Sequence, residues 1–295
     1  MKFQLVAPDQ DYSTAMLTHG GINGGTVWLD NIARSLRWHG HDAQLVSINT
    51  YLEADYVIVQ SEVIKYKNLK QYYESGGKII CLLSHFNPAH RKYASLDQVR
   101  DMSRVIFTPW EGDLLQGVEY PFLPHAYGDL MDDRVSVDNR GSVIFAGNSY
   151  PLRHEGWFDA IKVTRIYKTL PWDMPAIYRG ADVCVNLHGD FQKNIVSCES
   201  SRVADKKGMM VNERFWNILG AGGLLVTDWV PQMERWFSKD ELIVAHNKRE
   251  FEELVKYYKT RKEEGLGRLK SAREKVRKMH TYKERIADML KYLSC

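Results

Sequence analysis

"MVNERFWNILGAGGLLVTDWVPQMERWF", residues 210–237, decides how the chain is read. A short run ends in a glycine cluster, becomes an apolar strand, and then meets Thr-Asp and an aromatic-rich stretch. Val211, Phe215, Ile218 and Leu219 fall at i, i+4, i+7 and i+8, which predicts a helix over 211–220 with one buried face. Asn212 or a neighbour would cap it, leaving unpaired backbone N–H groups in the first turn. Such a terminus attracts phosphate through those donors and the helix dipole. Arg214 adds a planar fork that can hold a diphosphate bidentately. Asn217, three residues on, shares that face and can reach a ribose or sugar hydroxyl. Gly220, Gly222 and Gly223 close the helix and let the next strand pack tightly. An ordinary helix-to-strand turn would show the same composition.

Outward from that segment, strand and helix signals alternate. Apolar runs stand at 3–7, 42–48, 55–60, 78–83, 104–108 and 118–123, with helix-like stretches at 25–39 and 62–75. They resume at 142–147, 181–187, 223–228 and 241–246, the last three separated by helices at 211–220 and 248–262. Alternation of this kind predicts parallel sheets with helices on their faces. Residues 124–141 break the pattern with Pro, Gly and a charge cluster and read as a linker. The expected division is an N-terminal domain over 1–123, a linker over 124–141, a second domain over 142–262 and a basic amphipathic helix over 263–295. The polar, unperiodic stretch 192–208 reads as a loop.

A chain of 295 residues has room for two medium domains, and 44% apolar with 12% aromatic residues is ample for buried cores. The formal charge of +3 argues against a generic polyanion binder. Cys81, Cys184, Cys198 and Cys295 form no C-x-x-C pair, so neither a zinc site nor a redox motif is indicated. Cys81 and Cys184 lie in apolar strand-like runs and read as buried thiols. The N-terminus has one basic residue and no apolar core of a signal peptide, and no run is long enough to span a bilayer. The expectation is a cytoplasmic protein without a membrane partner. Residues 256–285 carry twelve Lys or Arg against four Glu. Leu266, Leu269, Val276, Met279, Ile286, Met289, Leu290 and Leu293 stand near helical spacing there. The bland reading is a solvated amphipathic helix; the sharper one is a surface for an anionic acceptor.

Four stretches of the second half carry a resemblance. "NERFWNILGAGGLLVTD" followed by "ELIVAHNKREFEELVKYY" resembles the donor-binding half of GT-B glycosyltransferases, most closely the CgeB-like branch of the retaining, GT4-type superfamily. Those proteins carry Arg-x-x-Glu on this helix, a small-residue turn, a Thr-Asp or similar strand end and a later amphipathic helix. "VIFAGNSYPLR" (143–153) resembles the strand-turn that opens their second domain, with Gly147, Asn148 and Arg153 at matching places. "ADVCVNLHGD" (181–190) resembles the strand before their donor loop. The likeness covers about residues 142–262 well and the first half as topology alone. Arg214 is retained, whereas the family's ribose-gripping Glu is replaced by Asn217, an amide without the carboxylate's charge. Glu213, one step from Arg214, is a partial substitute. The resemblance implies an α/β GT-B fold, two Rossmann-like doubly wound domains facing across a cleft. It also implies a UDP-linked sugar nucleotide as co-substrate, no further cofactor, metal-independent transfer, and retention at the anomeric carbon.

In the first half, "THGGINGGTVWLDNIARSLRWHGHD" (18–42) puts a glycine-rich loop between strand and helix without G-x-G-x-x-G spacing, which disfavours a nicotinamide enzyme. Gly24 and Gly25 suit close backbone approach to donor phosphates. His19, His85 and His125 follow strand ends; His85 and His19 are the candidates for touching the reacting sugar or acceptor, although histidines so placed often serve only as structural hydrogen-bonders. Asp132 and Asp133 sit in linker sequence and read as solvated charges. The expected activity is sugar transfer from a nucleoside diphosphate to an acceptor hydroxyl. The acceptor is a hydroxymethylated DNA base, as virus-encoded enzymes of this fold use, or a glycan or small molecule. A sugar-nucleotide epimerase of the same architecture and a non-catalytic binding protein are the alternatives. A DNA-binding module rests on the tail alone, without a helix-turn-helix or zinc signature.

Overall fold

The computed structural model describes residues 1–7, 24–83, 95–109, 120–128, 142–147, 155–166, 169, 171–188 and 210–294. They divide into two units: Met1–Pro124 with Tyr282–Cys295, and His125–Lys193 with Lys206–Thr281.

The first unit holds β1 (Lys2–Ala7), α1 (Gly24–Trp38), β2 (Asp42–Ser47), β3 (Tyr56–Gln60), α2 (Lys67–Glu74), β4 (Ile79–Leu82), α3 (Leu96–Met102) and β5 (Val105–Phe107). Its strands form one parallel sheet in the order β2-β1-β3-β4-β5. The three inner strands are buried along their length from Phe3 to Ala7, Tyr56 to Gln60 and Ile79 to Leu82. Consecutive apolar residues, rather than alternating ones, are what a doubly covered parallel strand requires. The α3 start is a reciprocal cap: Ser95 Oγ accepts from the Gln98 N–H and Gln98 Oε1 accepts from the Ser95 N–H. The sixth run expected as a strand, 118–123, does not form one over its described residues. Phe122 makes only an isolated bridge with Thr108, since Pro121 has no N–H to extend a ladder.

The second unit holds β6 (Val143–Ala146), β7 (Val163–Ile166), α4 (Met174–Gly180), β8 (Val183–Asn186), α5 (Glu213–Ala221), β9 (Leu225–Asp228), β10 (Val244–Ala245) and α6 (Lys248–Lys259). These strands are again all parallel, in the order β10-β9-β8-β6-β7. One core of Val143, Phe145, Val185, Phe215, Trp216, Leu225 and Phe251 fastens the helices to the sheet. Cys184 and, in the first unit, Cys81 are buried free thiols. The glycine cluster divides its work. Gly220 stays inside α5, where a Cβ would meet the ring of Tyr127. Gly222, at φ +87°, is the left-handed residue that ends the helix, its N–H reaching the carbonyls of Ile218 and Leu219 at 3.1 and 3.0 Å.

The tail over 263–295 is not one helix. It follows α7 (Lys262–Arg268), α8 (Lys270–Met279) and α9 (Tyr282–Leu293), the last of which belongs to the first unit. There Lys283 offers its carbonyl to the His39 ring at 2.9 Å and its ammonium to the Trp38 face at 5.2 Å. Many of the basic residues are engaged. Lys262 Nζ donates to the Arg179 carbonyl at the end of α4 (2.8 Å), and Arg277 Nε to the Gly220 carbonyl near the end of α5 (2.7 Å). A cation suits the unpaired carbonyls and negative dipole end of a helix. Lys275 pairs with Glu241 at 2.6 Å, and with Ser271 holds that carboxyl down to about 2. No helix among the described residues is long and apolar enough to cross a membrane.

Replacing Gly222 with Ala forces an L side chain into the left-handed region and against the Arg273 guanidinium. The expected loss is about 1–3 kcal/mol of unfolding free energy in urea titration, whereas an unchanged midpoint would show that the turn relaxes freely.

Candidate active site

Parallel sheets of this kind bind ligands beyond the carboxyl ends of their strands. In the second unit β8 ends at Asn186 and its neighbour β9 at Asp228, and α5 begins beside them. Asn212 is the N-cap of α5: its Oδ1 accepts from the Phe215 N–H at 3.1 Å while its Nδ2 donates to Asn186 Oδ1 at 3.1 Å. The cap therefore does two jobs. It satisfies a first-turn donor, and it pins the helix N-terminus to the end of β8.

Arg214, in the first turn, lies across the same edge. Its Nη1 donates to Asn186 Oδ1 at 2.9 Å and to the Leu187 carbonyl at 3.3 Å, and its guanidinium rests on the Phe145 face, 4.2 Å from the centroid. Gly147, just past β6, has φ +153°, and a Cβ there would stand 2.5 Å from Arg214 Nη2. Only glycine leaves the guanidinium that room. Desolvation pushes Arg214 down to about 10, opposed by Tyr178 and Asp228, so the group stays cationic at neutral pH. Its acceptors are both neutral oxygens, and among the described residues no carboxylate forms an ion pair with it. A guanidinium carries five N–H donors, so several remain for a ligand.

A second polar cluster adjoins it. The Asp228 Oδ1 accepts from the His188 backbone N–H at 3.1 Å and lies 2.6 Å from His188 Nδ1. Asn186 Nδ2 donates to Thr227 Oγ1 at 3.2 Å, tying β8 to β9. Asn186, His188, Thr227 and Asp228 are all buried.

Of the residues singled out from sequence, Gly147, Glu213, Arg214 and Asn217 meet in this unit. Glu213 opens α5, half-buried. Asn217 Oδ1 accepts from the Gly128 N–H at 3.2 Å, so part of its amide is engaged within the protein. Gly24 and Gly25 open α1 in the other unit, where a Cβ on Gly25 would strike the Gln60 side chain. His19, His85, Asn148 and Arg153 lie outside the described residues, as does most of the 124–141 linker with Asp132 and Asp133. Asn186, His188 and Asp228 were not singled out as site residues. Their signal was present: polar side chains directly after apolar strand runs, in "VNLHGD" and "LVTDW". Among the described residues no group of three His, Cys, Asp or Glu is arranged to hold a metal ion.

Asn212→Ala should lower stability by about 1–2 kcal/mol, near the upper part of the range for N-caps, because the tie to Asn186 goes with the cap. Asn212→Asp keeps the cap but has no donor for Asn186 Oδ1, so it is expected to recover only part of the loss in thermal unfolding.

The comparisons with known proteins follow this geometry. The chain is similar over its full length to T4 phage BGT in complex with UDP and Mn2+, at 10% identity and a TM-score of 0.60, all of both chains being covered. It is similar to sucrose-phosphate synthase from Thermosynechococcus elongatus, at 8% identity and a TM-score of 0.62, covering 100% of this chain and 98% of that one. An alpha-glucosyltransferase in complex with UDP and a 13-mer DNA gives 10% identity and a TM-score of 0.60, again over all of both chains. A search of the curated proteins by sequence gives no match. At these identities the likeness is one of fold, the GT-B arrangement of two parallel-sheet α/β domains. The Glycosyl transferase-like family model matches residues 133–291, more than half of the 295 and including all of β6, β8, α5 and β9. By that match the chain belongs to the Glycosyl transferase-like family.

Proposed function

We propose that this protein transfers a sugar from a UDP-linked donor to an acceptor hydroxyl, with retention, as a member of the CgeB-like, GT4-type branch. The observation that carries the reading is Arg214: a cation at a helix N-terminus, at the ligand-binding edge of a parallel sheet, held by neutral oxygens alone. A diphosphate leaving group develops negative charge as the glycosidic bond breaks, and a fixed guanidinium with helix N–H groups stabilises it there. The leaving phosphate can then take the acceptor proton, so the transfer requires neither a dedicated base nor a metal. Gly24, Gly25, Gly147, Asn148, Arg153, Glu213 and Asn217 complete the proposed donor-binding set. His85 and His19, which follow β4 and β1 in sequence, are the residues proposed to touch the reacting sugar or acceptor.

The proposed acceptor is a 5-hydroxymethylated base in DNA, in a cytoplasmic setting, as in an infected bacterium. Solved neighbours include an enzyme bound to UDP and DNA, which supports this reading over a glycan. A base within a duplex must leave its stack to reach an enclosed site. The cations engaged at helix ends are poor candidates for phosphate contacts. Lys256, Lys259, Arg268, Lys270 and Lys278 are exposed instead.

Arg214→Ala should weaken UDP binding by about 1.5–3 kcal/mol, the range for charge-assisted hydrogen bonds, with calorimetry in the presence of a chelator as the measurement. Unchanged affinity together with unchanged turnover would remove Arg214 from the donor site. For the acceptor, transfer to hydroxymethylated duplex should fall steeply with rising salt as phosphate counterions compete. Robust transfer to an oligosaccharide, with none to hydroxymethylated DNA at low salt, would overturn the DNA assignment.

A further inference from the structure

The pair His188–Asp228 has a feature that the fold does not use. Both residues are buried, with His188 at 0% and Asp228 at 1% exposure. A carboxylate oxygen only accepts, so the 2.6 Å contact with Asp228 places a hydrogen on Nδ1 of the ring. Among the described residues the other ring nitrogen, His188 Nε2, has no hydrogen-bond partner, and neither does Asp228 Oδ2. Buried polar atoms are nearly always paired, and the exceptions mark a bound water, an ion or a functional group. Here one carboxylate oxygen holds His188 through both its ring and its backbone N–H.

The position of the orphan narrows its partner. His188 stands two residues past the end of β8, and the carbonyl of the residue before it, Leu187, is held by Arg214 Nη1. Arg214, in the first turn of the nine-residue helix α5, thus reaches the residue before His188, and the Asp228 carboxylate that holds the ring also acts on the Arg214 guanidinium. A helix N-terminus and a guanidinium both attract an anion. With Nδ1 donating to Asp228, the ring can offer a hydrogen from Nε2 to an anionic oxygen only when both of its nitrogens carry one.

We propose that His188 is a donor-binding residue whose Nε2 hydrogen-bonds a diphosphate oxygen of the sugar nucleotide, beside Arg214, with Asp228 as the positioning residue that fixes the ring. The ring then bridges two anions, donating from Nδ1 to one and from Nε2 to the other. This rests on the nucleotide-sugar reading above, and the test separates the two.

The test compares two amide replacements in the full-length protein. An Asn at 188 places its amide nitrogen near the position of Nδ1 and keeps the Asp228 contact; a Gln reaches toward the position of Nε2 and keeps the outward donor. Calorimetry with UDP and with UDP-glucose, alongside thermal unfolding, reads both roles. The expected result is that His188→Asn unfolds near the wild-type temperature yet binds UDP roughly tenfold or more weakly, the scale of one charge-assisted hydrogen bond. His188→Gln should recover UDP affinity while unfolding at a lower temperature. Asp228→Asn should weaken UDP binding less than His188→Asn. If His188→Asn binds both UDP and UDP-glucose as the wild type does, Nε2 faces only a buried water and the inference fails by itself. If UDP affinity is kept and only UDP-glucose weakens, the partner is a sugar hydroxyl and the diphosphate assignment fails. If both variants lose stability and affinity together, the pair is structural and the proposal fails. Wild-type protein that binds neither nucleotide overturns the nucleotide-sugar reading as well.

Discussion

One side-chain amide, that of Asn186, sets the geometry on which the second unit's chemistry depends. Its oxygen accepts from Asn212 and from Arg214, and its nitrogen donates to Thr227. Three elements that share no local sequence are thereby fixed at one point: the end of β8, the end of β9 and the start of α5. An amide can do this because it is donor and acceptor at once; a carboxylate could hold the two donors but not the hydroxyl oxygen. It would also neutralise Arg214. A charge withdrawn from water is costly without compensation, and here neutral oxygens and the Phe145 face supply only part of it. The Asp228 carboxylate supplies a further part, favouring the charged guanidinium.

The same electrostatic logic runs in the opposite sense at the other end of the helices. The formal charge of +3 conceals a strongly basic tail, and two of its cations answer helix-end carbonyls. Lys262 reaches the end of α4 and Arg277 the end of α5. Helix α5 carries a carboxylate, Glu213, in its first turn and receives an arginine at its finish, so its dipole is complemented within the chain at both ends.

The fold was legible in the sequence where periodicity reports burial. The inner strands of both sheets are apolar at successive positions, and α1 and α5 show a clean buried stripe, so each stood out. β7 did not: "VTRI" is an edge strand with no residue buried, and half-exposed residues leave no apolar run to detect. The tail shows the converse failure. Its apolar residues keep helical spacing through 266–293, yet the backbone breaks near Leu269 and again at His280–Thr281. Periodicity records which residues are inside, not where hydrogen bonding stops. In the site, Arg214 and Gly147 could be picked out because a family pattern marks their places. The Asn186 hub and the Asp228–His188 contact join residues 41 and 40 positions apart in the chain, and only the sheet's strand order brings them together. Helical spacing puts Asn217 three residues from Arg214, but its hydrogen bond to Gly128 depends on a segment 89 residues away.

The return of α9 to the first unit bears on how this chain is made. A ribosome releases residues in order, and an N-terminal domain ordinarily folds while the rest is still being synthesised. Here the first unit's helix α1 must wait for Lys283 and its neighbours, which emerge only after the whole second unit. The first sheet is therefore nascent without one of its covering helices for most of translation, and the second unit is the half that can be finished first. Any attempt to produce the halves separately has to carry residues 282–294 with the N-terminal piece, joined across the excised segment, rather than cut the chain once near its middle.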